Sequence, residues 1–212
     1  MPGEGDGPER TPMRKIAVFC GSSSGKSPKF AEAAAALGKE MTRRGQGLVY
    51  GGGNIGLMGK VAHTVKDGGC SVLGVIPTEL EPEEVSGQTV GDVRVVGGMH
   101  ERKAVMAQES DGFIALPGGF GTMEELLEVL TWQQLGYHAK PVGLLNVEGY
   151  YDPLLTFLDN AVELGFLSKQ SRASLLVSTD PADLIDQLEA YRAPPSVIQL
   201  AKEGKFDLLT QG

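Results

Sequence analysis

The chain has 212 residues, 41% of them hydrophobic and 22% charged, which suits one compact globular domain with an ample core. Its formal net charge of -8 argues against nucleic acid and against an anionic membrane as partners, because both demand a basic surface. An anionic ligand would have to be held by a local site.

Residues 1–12 are acidic and rich in Gly and Pro, the composition of a disordered tail, and they lack the apolar centre of a signal peptide. No apolar run approaches the ~20 residues that span a bilayer. Cys20 and Cys70 show no CxxC spacing, so they read as small buried residues rather than a zinc site or a disulfide. Together these features predict a reducing compartment, the cytosol first and the nucleus second.

The ordered part opens at Lys15 with the continuous apolar run Ile16–Cys20, typical of a strand buried on both faces. Similar runs follow at Gly47–Tyr50, Ser71–Ile76, Val93–Val96, Phe113–Leu116, Val142–Leu145 and Leu175–Val177. Helical spacing fills the intervals Pro28–Arg44, Gly56–Asp67, Met99–Glu109, Thr122–Leu135, Asp152–Leu164 and Pro181–Tyr191. This alternation predicts an α/β fold: a Rossmann-like, doubly wound, mostly parallel sheet of about seven strands flanked by helices. One domain should occupy residues 13–193, leaving 194–212 as an extension, a linker or a packing arm. Ligands in such folds bind outside the carboxyl ends of the strands.

The loop after the first strand, Gly21-Ser22-Ser23-Ser24-Gly25-Lys26-Ser27, is one residue short of a P-loop. It also spells G-x-S-x-G, but no earlier strand is available to supply an oxyanion loop. The plain alternative is a serine-rich turn capping the helix near Pro28. The next loop, Gly51-Gly52-Gly53-Asn54-Ile55-Gly56, contains G-x-G-x-x-G between strand and helix, with Glu79 near the place of a ribose-binding acid. Glycines that merely turn a strand sharply into a helix would read the same way.

Met99, Arg102, Lys103 and Met106 fall at i, i+3, i+4 and i+7, which puts a basic pair on an otherwise apolar helix face. It is either a solvated helix end or an anion contact, with Arg102 bidentate and Lys103 a point charge.

Leu116-Pro117-Gly118-Gly119-Phe120-Gly121-Thr122-Met123-Glu124-Glu125 joins a phosphate cradle to two carboxylates. A glycine loop opening a helix offers free N–H groups and a positive dipole end. Thr122 and Glu125 have T-x-x-E spacing, a capping box that would give Glu125 a structural role. Against that, a carboxylate near an N-glycosidic bond can stabilise an oxocarbenium-like centre or activate water. Arginine keeps its proton and cannot be the acid. His63, His100 and His138 stand at no metal-ligand spacing, so no metal is expected.

Pro117–Glu125 matches a PGGxGTxxE signature, and Gly51–Gly59 together with Met99-x-x-Arg102-Lys103 matches its usual companions. The chain therefore resembles the Lonely Guy (LOG) family of cytokinin-activating phosphoribohydrolases, often mislabelled lysine decarboxylases, from about Lys15 to Tyr191. The resemblance implies hydrolysis of the N-glycosidic bond of N6-substituted adenosine 5'-monophosphates, without cofactor. It implies Arg102 and Glu125 as the catalytic pair and Lys103, Gly119, Gly121, Thr122 and Glu124 as nucleotide contacts. By similar spacing, Glu84 and Thr131 join the substrate site. Gly21, Ser22, Gly52, Gly53, Met99, Gly118, Phe120 and Met123 are the remaining expected lining residues. A homodimer with sites near the subunit interface is also implied. Departures are Gln88, where glutamate is common, and Phe120, where tyrosine or valine is frequent. The alternatives are a general AMP phosphoribohydrolase and a non-catalytic nucleotide or cofactor carrier on the same scaffold.

Overall fold

A computed structural model describes residues 11–80 and 89–204. Its strands are β1 (Lys15–Phe19), β2 (Gly47–Tyr50), β3 (Val72–Pro77), β4 (Asp92–Val96), β5 (Gly112–Ala115), β6 (Val142–Leu145) and β7 (Leu175–Ser178). They form one seven-stranded sheet in the order β4-β3-β2-β1-β5-β6-β7, and every pairing is parallel. The described helices are α1 (Pro28–Arg43), α2 (Gly56–Asp67), α3 (Met99–Glu109), α4 (Phe120–Leu135), α5 (Asp152–Glu163), α6 (Lys169–Ala173), α7 (Pro181–Ala190) and α8 (Val197–Lys202), with a 3-10 turn at Val147–Gly149.

Strands β2, β5 and β6 are buried at every residue because helices cover both faces of the sheet. Alternation along β1 divides two cores. Ile16 and Val18 join Leu37, Met41, Leu57 and Val61 of α1 and α2, whereas Ala17 and Phe19 join Met106, Leu126 and Val129 of α3 and α4. The chain winds outward from β1 to β4, then returns to β5 on the other side of β1. The crevice of a doubly wound sheet opens at that reversal, so the loops after β1 and β5 flank it.

Element boundaries agree with the sequence pattern to within one or two residues, and two differences bear on function. The helix expected from Thr122 starts at Phe120, with Gly119 in the N-cap position. The segment after residue 193 contains α8, whose N-cap Ser196 accepts from the Gln199 amide and whose Leu200 is buried. Short α6 was not anticipated; five residues carry too little periodicity to register. The expectations for residues 1–10, for Glu84 and Gln88, and for residues 205–212 lie outside the described residues.

Gly56 has φ +60°, and a Cβ there would overlap the Ser22 backbone. Gly56→Ala is therefore expected to destabilise the protein by at least about 2 kcal/mol, from left-handed strain and the overlap together. A urea unfolding midpoint unchanged from wild type would refute this.

Candidate active site

The sharp entry into α4 follows from Gly118-Gly119. Among the residues opening α4, Met123 makes the first helical bond, to the Gly119 carbonyl at 3.1 Å. The amides of Phe120, Gly121 and Thr122 precede it and have no helical partner, as at any helix start. No side chain caps this end. Gly119 has an ordinary extended backbone, and a Cβ on Gly119 or Gly121 would meet nothing within 4 Å. Among the described residues no neighbour demands either glycine; their missing side chains leave open space at the start of α4. Phe120 stands 96% exposed at the rim.

The capping box suggested by Thr122 and Glu125 does not form. Thr122 lies at the third helical position, not at the N-cap, and its buried side chain packs where a Cβ on Gly118 would sit. Glu125 is thus free of that structural duty.

The amide end of α2 is arranged differently. Leu57 and Met58 donate to the Gly21 carbonyl at 3.1 and 3.3 Å. A dinucleotide pyrophosphate would need those same donors, so the G-x-G-x-x-G reading loses its physical basis. Glu79 is exposed. The glycines here serve close packing: a Cβ on Gly51 would overlap the Arg102 guanidinium, and one on Gly53 would touch the Met58 methyl at 3.0 Å.

Arg102 and Lys103 are 7% and 8% exposed, so the solvated-helix-end reading of this pair is overturned. Arg102 Nη2 donates to the Gly51 carbonyl at 3.2 Å, and Nη1 approaches the Met99 sulfur at 3.7 Å. Its Nε is buried and finds no acceptor among the described residues. Lys103 Nζ pairs with Glu124 and, at 3.0 Å, with Glu128. Burial opposes the ammonium charge, but hydrogen bonds to Glu124 and Glu128 outweigh it, and its pKa is raised.

Glu125 is pushed up to about 7. Burial is the main cause, the nearby positive charges of Arg102 and then Lys103 oppose it, and Glu124 and Glu128 add repulsion. Arg102 therefore acts on Glu125 through its field, without a direct ion pair, and does not keep the carboxylate fully ionised at neutral pH. Such a carboxyl can give or take a proton near neutrality. Beside it, Cys20 at the end of β1 is buried, and its thiol is pushed up by burial and by the charge of Glu125.

Among the residues expected at the site, contacts join Gly21 to Gly118, Arg102 to Met99 and to the loop after β2, and Lys103 to Glu124, while Ser22 lies against Gly56. Met123 turns inward and packs against the core on the α4 side. Thr131 is not part of this group. It is exposed, its hydroxyl donates to the Leu127 carbonyl at 2.7 Å, and it lines a separate cavity of about 220 Å³ with Leu127, Phe166 and Leu200. Two residues absent from the sequence reading belong to the site. Tyr151 donates to the Leu116 carbonyl at 2.6 Å, and Tyr150 to the Gly118 carbonyl at 2.5 Å. Their signal was weak: an aromatic pair after β6, informative only once β6 is known to lie beside β5.

A Rossmann-like sheet with a free helix N-terminus and a near-neutral carboxyl at its switch point defines a nucleotide-type site equipped for acid–base chemistry. Residues 58–188 match the family model described as "Possible lysine decarboxylase". The chain is 56% identical over 185 residues to the cytokinin riboside 5'-monophosphate phosphoribohydrolase LOG of Oryza sativa subsp. japonica, covering 87% of this chain and 76% of that protein. It is 57% identical over 179 residues to LOG7 of Arabidopsis thaliana, covering 84% and 82%. The molybdenum cofactor carrier protein of Chlamydomonas reinhardtii superposes with a TM-score of 0.63 at 25% identity, over 84% of this chain and 99% of that one. The chain belongs to the LOG family of phosphoribohydrolases.

The raised pKa of Glu125 has a stability consequence. The unfolded carboxyl ionises near 4.5 and the folded one near 7, so the contribution of Glu125 to native stability is greatest below pH 4.5 and is lost as pH rises from there through 7. Glu125→Gln removes this loss. The variant should match wild type at pH 4 and exceed it by about 2–3 kcal/mol at pH 8. Thermal unfolding of both proteins across that range checks it; a constant difference would show that ionisation is not responsible.

Proposed function

We propose that this protein hydrolyses the N-glycosidic bond of N6-substituted adenosine 5'-monophosphates, releasing the free cytokinin base and ribose 5-phosphate. The observation that carries the chemistry is Glu125: a half-buried carboxyl whose pKa is pushed up to about 7, one helical turn below the free amides of α4. The amides of Phe120, Gly121 and Thr122 hold the 5'-phosphate. Arg102 Nε, a buried donor lacking an acceptor, is satisfied by a ligand oxygen. Lys103 balances the local negative charge.

In the ionised form Glu125 faces the anomeric carbon. As the bond from C1' to the base nitrogen breaks, the electron pair leaves with the base and positive charge develops on the sugar. The carboxylate stabilises that charge and takes a proton from the attacking water; hydroxyl goes to C1' and a proton to the base. The residues present call for no cofactor in this step. Glu84 and Thr131 are retained as substrate contacts, Thr131 from the second subunit of a homodimer. Exposed Leu127 on α4, Phe157 on α5 and Leu164 at the end of α5 supply apolar surface for that dimer. The protein acts in the cytosol.

Incubation with isopentenyladenosine monophosphate and with AMP, without metal, tests the proposal by release of free base. Preference for the former is expected, at ~1–3 kcal/mol per small apolar group accommodated. Equal turnover would favour a general AMP phosphoribohydrolase, and tight binding without base release would favour a carrier.

Two further outcomes address mechanism. Glu125→Gln is expected to lower kcat by about 10²–10⁴-fold while still binding nucleotide. The wild-type rate should rise with pH through about 7 and then level off, because the ionised carboxylate is the active form. A rate falling through pH 7 would assign Glu125 as the acid instead.

A further inference from the structure

The turn entering α4 must present amides to an anion, and its own carbonyl oxygens would repel that anion if they faced the crevice. Three consecutive carbonyls are tied back by donors from different elements. The Leu116 carbonyl accepts from Tyr151 Oη at 2.6 Å, that of Pro117 from the Gly21 amide at 3.0 Å, and that of Gly118 from Tyr150 Oη at 2.5 Å. Tyr151 is fully buried and Gly21 acts through its backbone, so both are inseparable from the core. Tyr150 is 44% exposed, and its hydroxyl holds the carbonyl of the peptide unit that leads into the N-cap Gly119, whose own carbonyl takes the Met123 amide.

The placement of this hydroxyl is well supported. The ring of Tyr150 packs edge-on against Phe30 at 6.1 Å and against Tyr151 at 5.0 Å. The preceding 3-10 turn holds Glu148 at φ 55°, the left-handed region that non-glycine residues seldom occupy. Lys29 Nζ bonds the Glu148 carboxylate at 2.7 Å across from α1. This strained turn delivers the one half-exposed hydroxyl to the Gly118 carbonyl, the kind of outlier that collects at functional sites.

We propose that Tyr150 is a positioning residue for phosphate recognition: by holding the Gly118 carbonyl away from the crevice it aims the amides of Phe120–Thr122 at the 5'-phosphate. The inference rests on the hydrolase reading of the same site. Tyr150 touches the loop, not the reacting atoms, so it governs ground-state binding of the phosphorylated substrate.

The test compares wild type with Tyr150→Phe, which keeps the ring and its contacts with Phe30 and Tyr151. Loss of one such hydrogen bond should raise KM for the nucleoside monophosphate about three- to tenfold with kcat within about twofold. The inhibition constant of inorganic phosphate should rise by the same factor. Weak turnover of the matching nucleoside, which has no phosphate, should be unaffected. A purely structural role would instead lower kcat for both substrates and depress the melting temperature in parallel. Unchanged KM and unchanged phosphate inhibition would overturn the proposal while leaving the hydrolase reading intact. Should wild type release no base, the hydrolase reading fails; phosphate binding by calorimetry still decides the positioning role, and equal affinity in both proteins, or none in wild type, overturns it.

Discussion

Gly21 ties three elements together at the point where the sheet reverses its winding. Its amide reaches the Pro117 carbonyl, and its carbonyl takes the first amides of α2. One peptide unit on either side of a single Cα thereby links the end of β1, the turn after β5 and the start of α2. The exchange is selective: the donor end of α2 is consumed inside the protein, while that of α4 stays free. Two glycine loops that look equivalent in composition are treated oppositely, one closed by packing and one left with its helix amides open. The close approach of Gly56 to the Ser22 backbone follows from the same linkage, since the β1 loop must lie against α2 for the Gly21 carbonyl to reach it.

Charge is arranged around this frame at short range. The protein carries a net charge of -8, yet two cations are buried beside the crevice. Burying a lone cation is costly unless partners compensate it. Lys103 has two, Glu124 and Glu128, from the exposed side of α4, and Arg102 has a backbone carbonyl. Acids close to the open amides of α4 are what allow a lysine to remain charged there. Glu125, between them on the helix, receives no such partner and bears the desolvation instead.

Much of this was legible in the sequence, and the failures have physical causes. Apolar runs and helical spacing located the sheet and its larger helices, because burial on both faces leaves an unbroken pattern. The family signature marked the crevice. The Thr122–Glu125 spacing suggested a cap, but Gly118-Gly119 lets the helix start two residues earlier, and a one-dimensional spacing carries no information on where a helix begins. The burial of Arg102 and Lys103 was ambiguous because it depends on Gly51 and Glu128, which approach from other elements. Tyr150 and Tyr151 were invisible for the same reason: their partners lie more than thirty residues earlier, across the β5–β6 pairing.

The raised pKa of Glu125 is consistent with its proposed work. Raising a carboxyl from 4.5 to about 7 corresponds to about 3 kcal/mol of penalty on the ionised form. A unit positive charge about 4 Å away, at an effective dielectric constant near 20, contributes about 4 kcal/mol in the opposite sense. An oxocarbenium-like sugar would therefore more than offset the burial, whereas the neutral ribose of the bound substrate would not. On the proposed mechanism the carboxylate would be poorly solvated in the ground state and well compensated only as the glycosidic bond opens. That difference is the form of interaction that lowers a barrier without tightening substrate binding. A fully paired carboxylate, such as one locked to Arg102 in a direct ion pair, would have less to gain at that moment. If Glu125 works as proposed, the separation between field and contact at Arg102 would leave that compensation to the transition state.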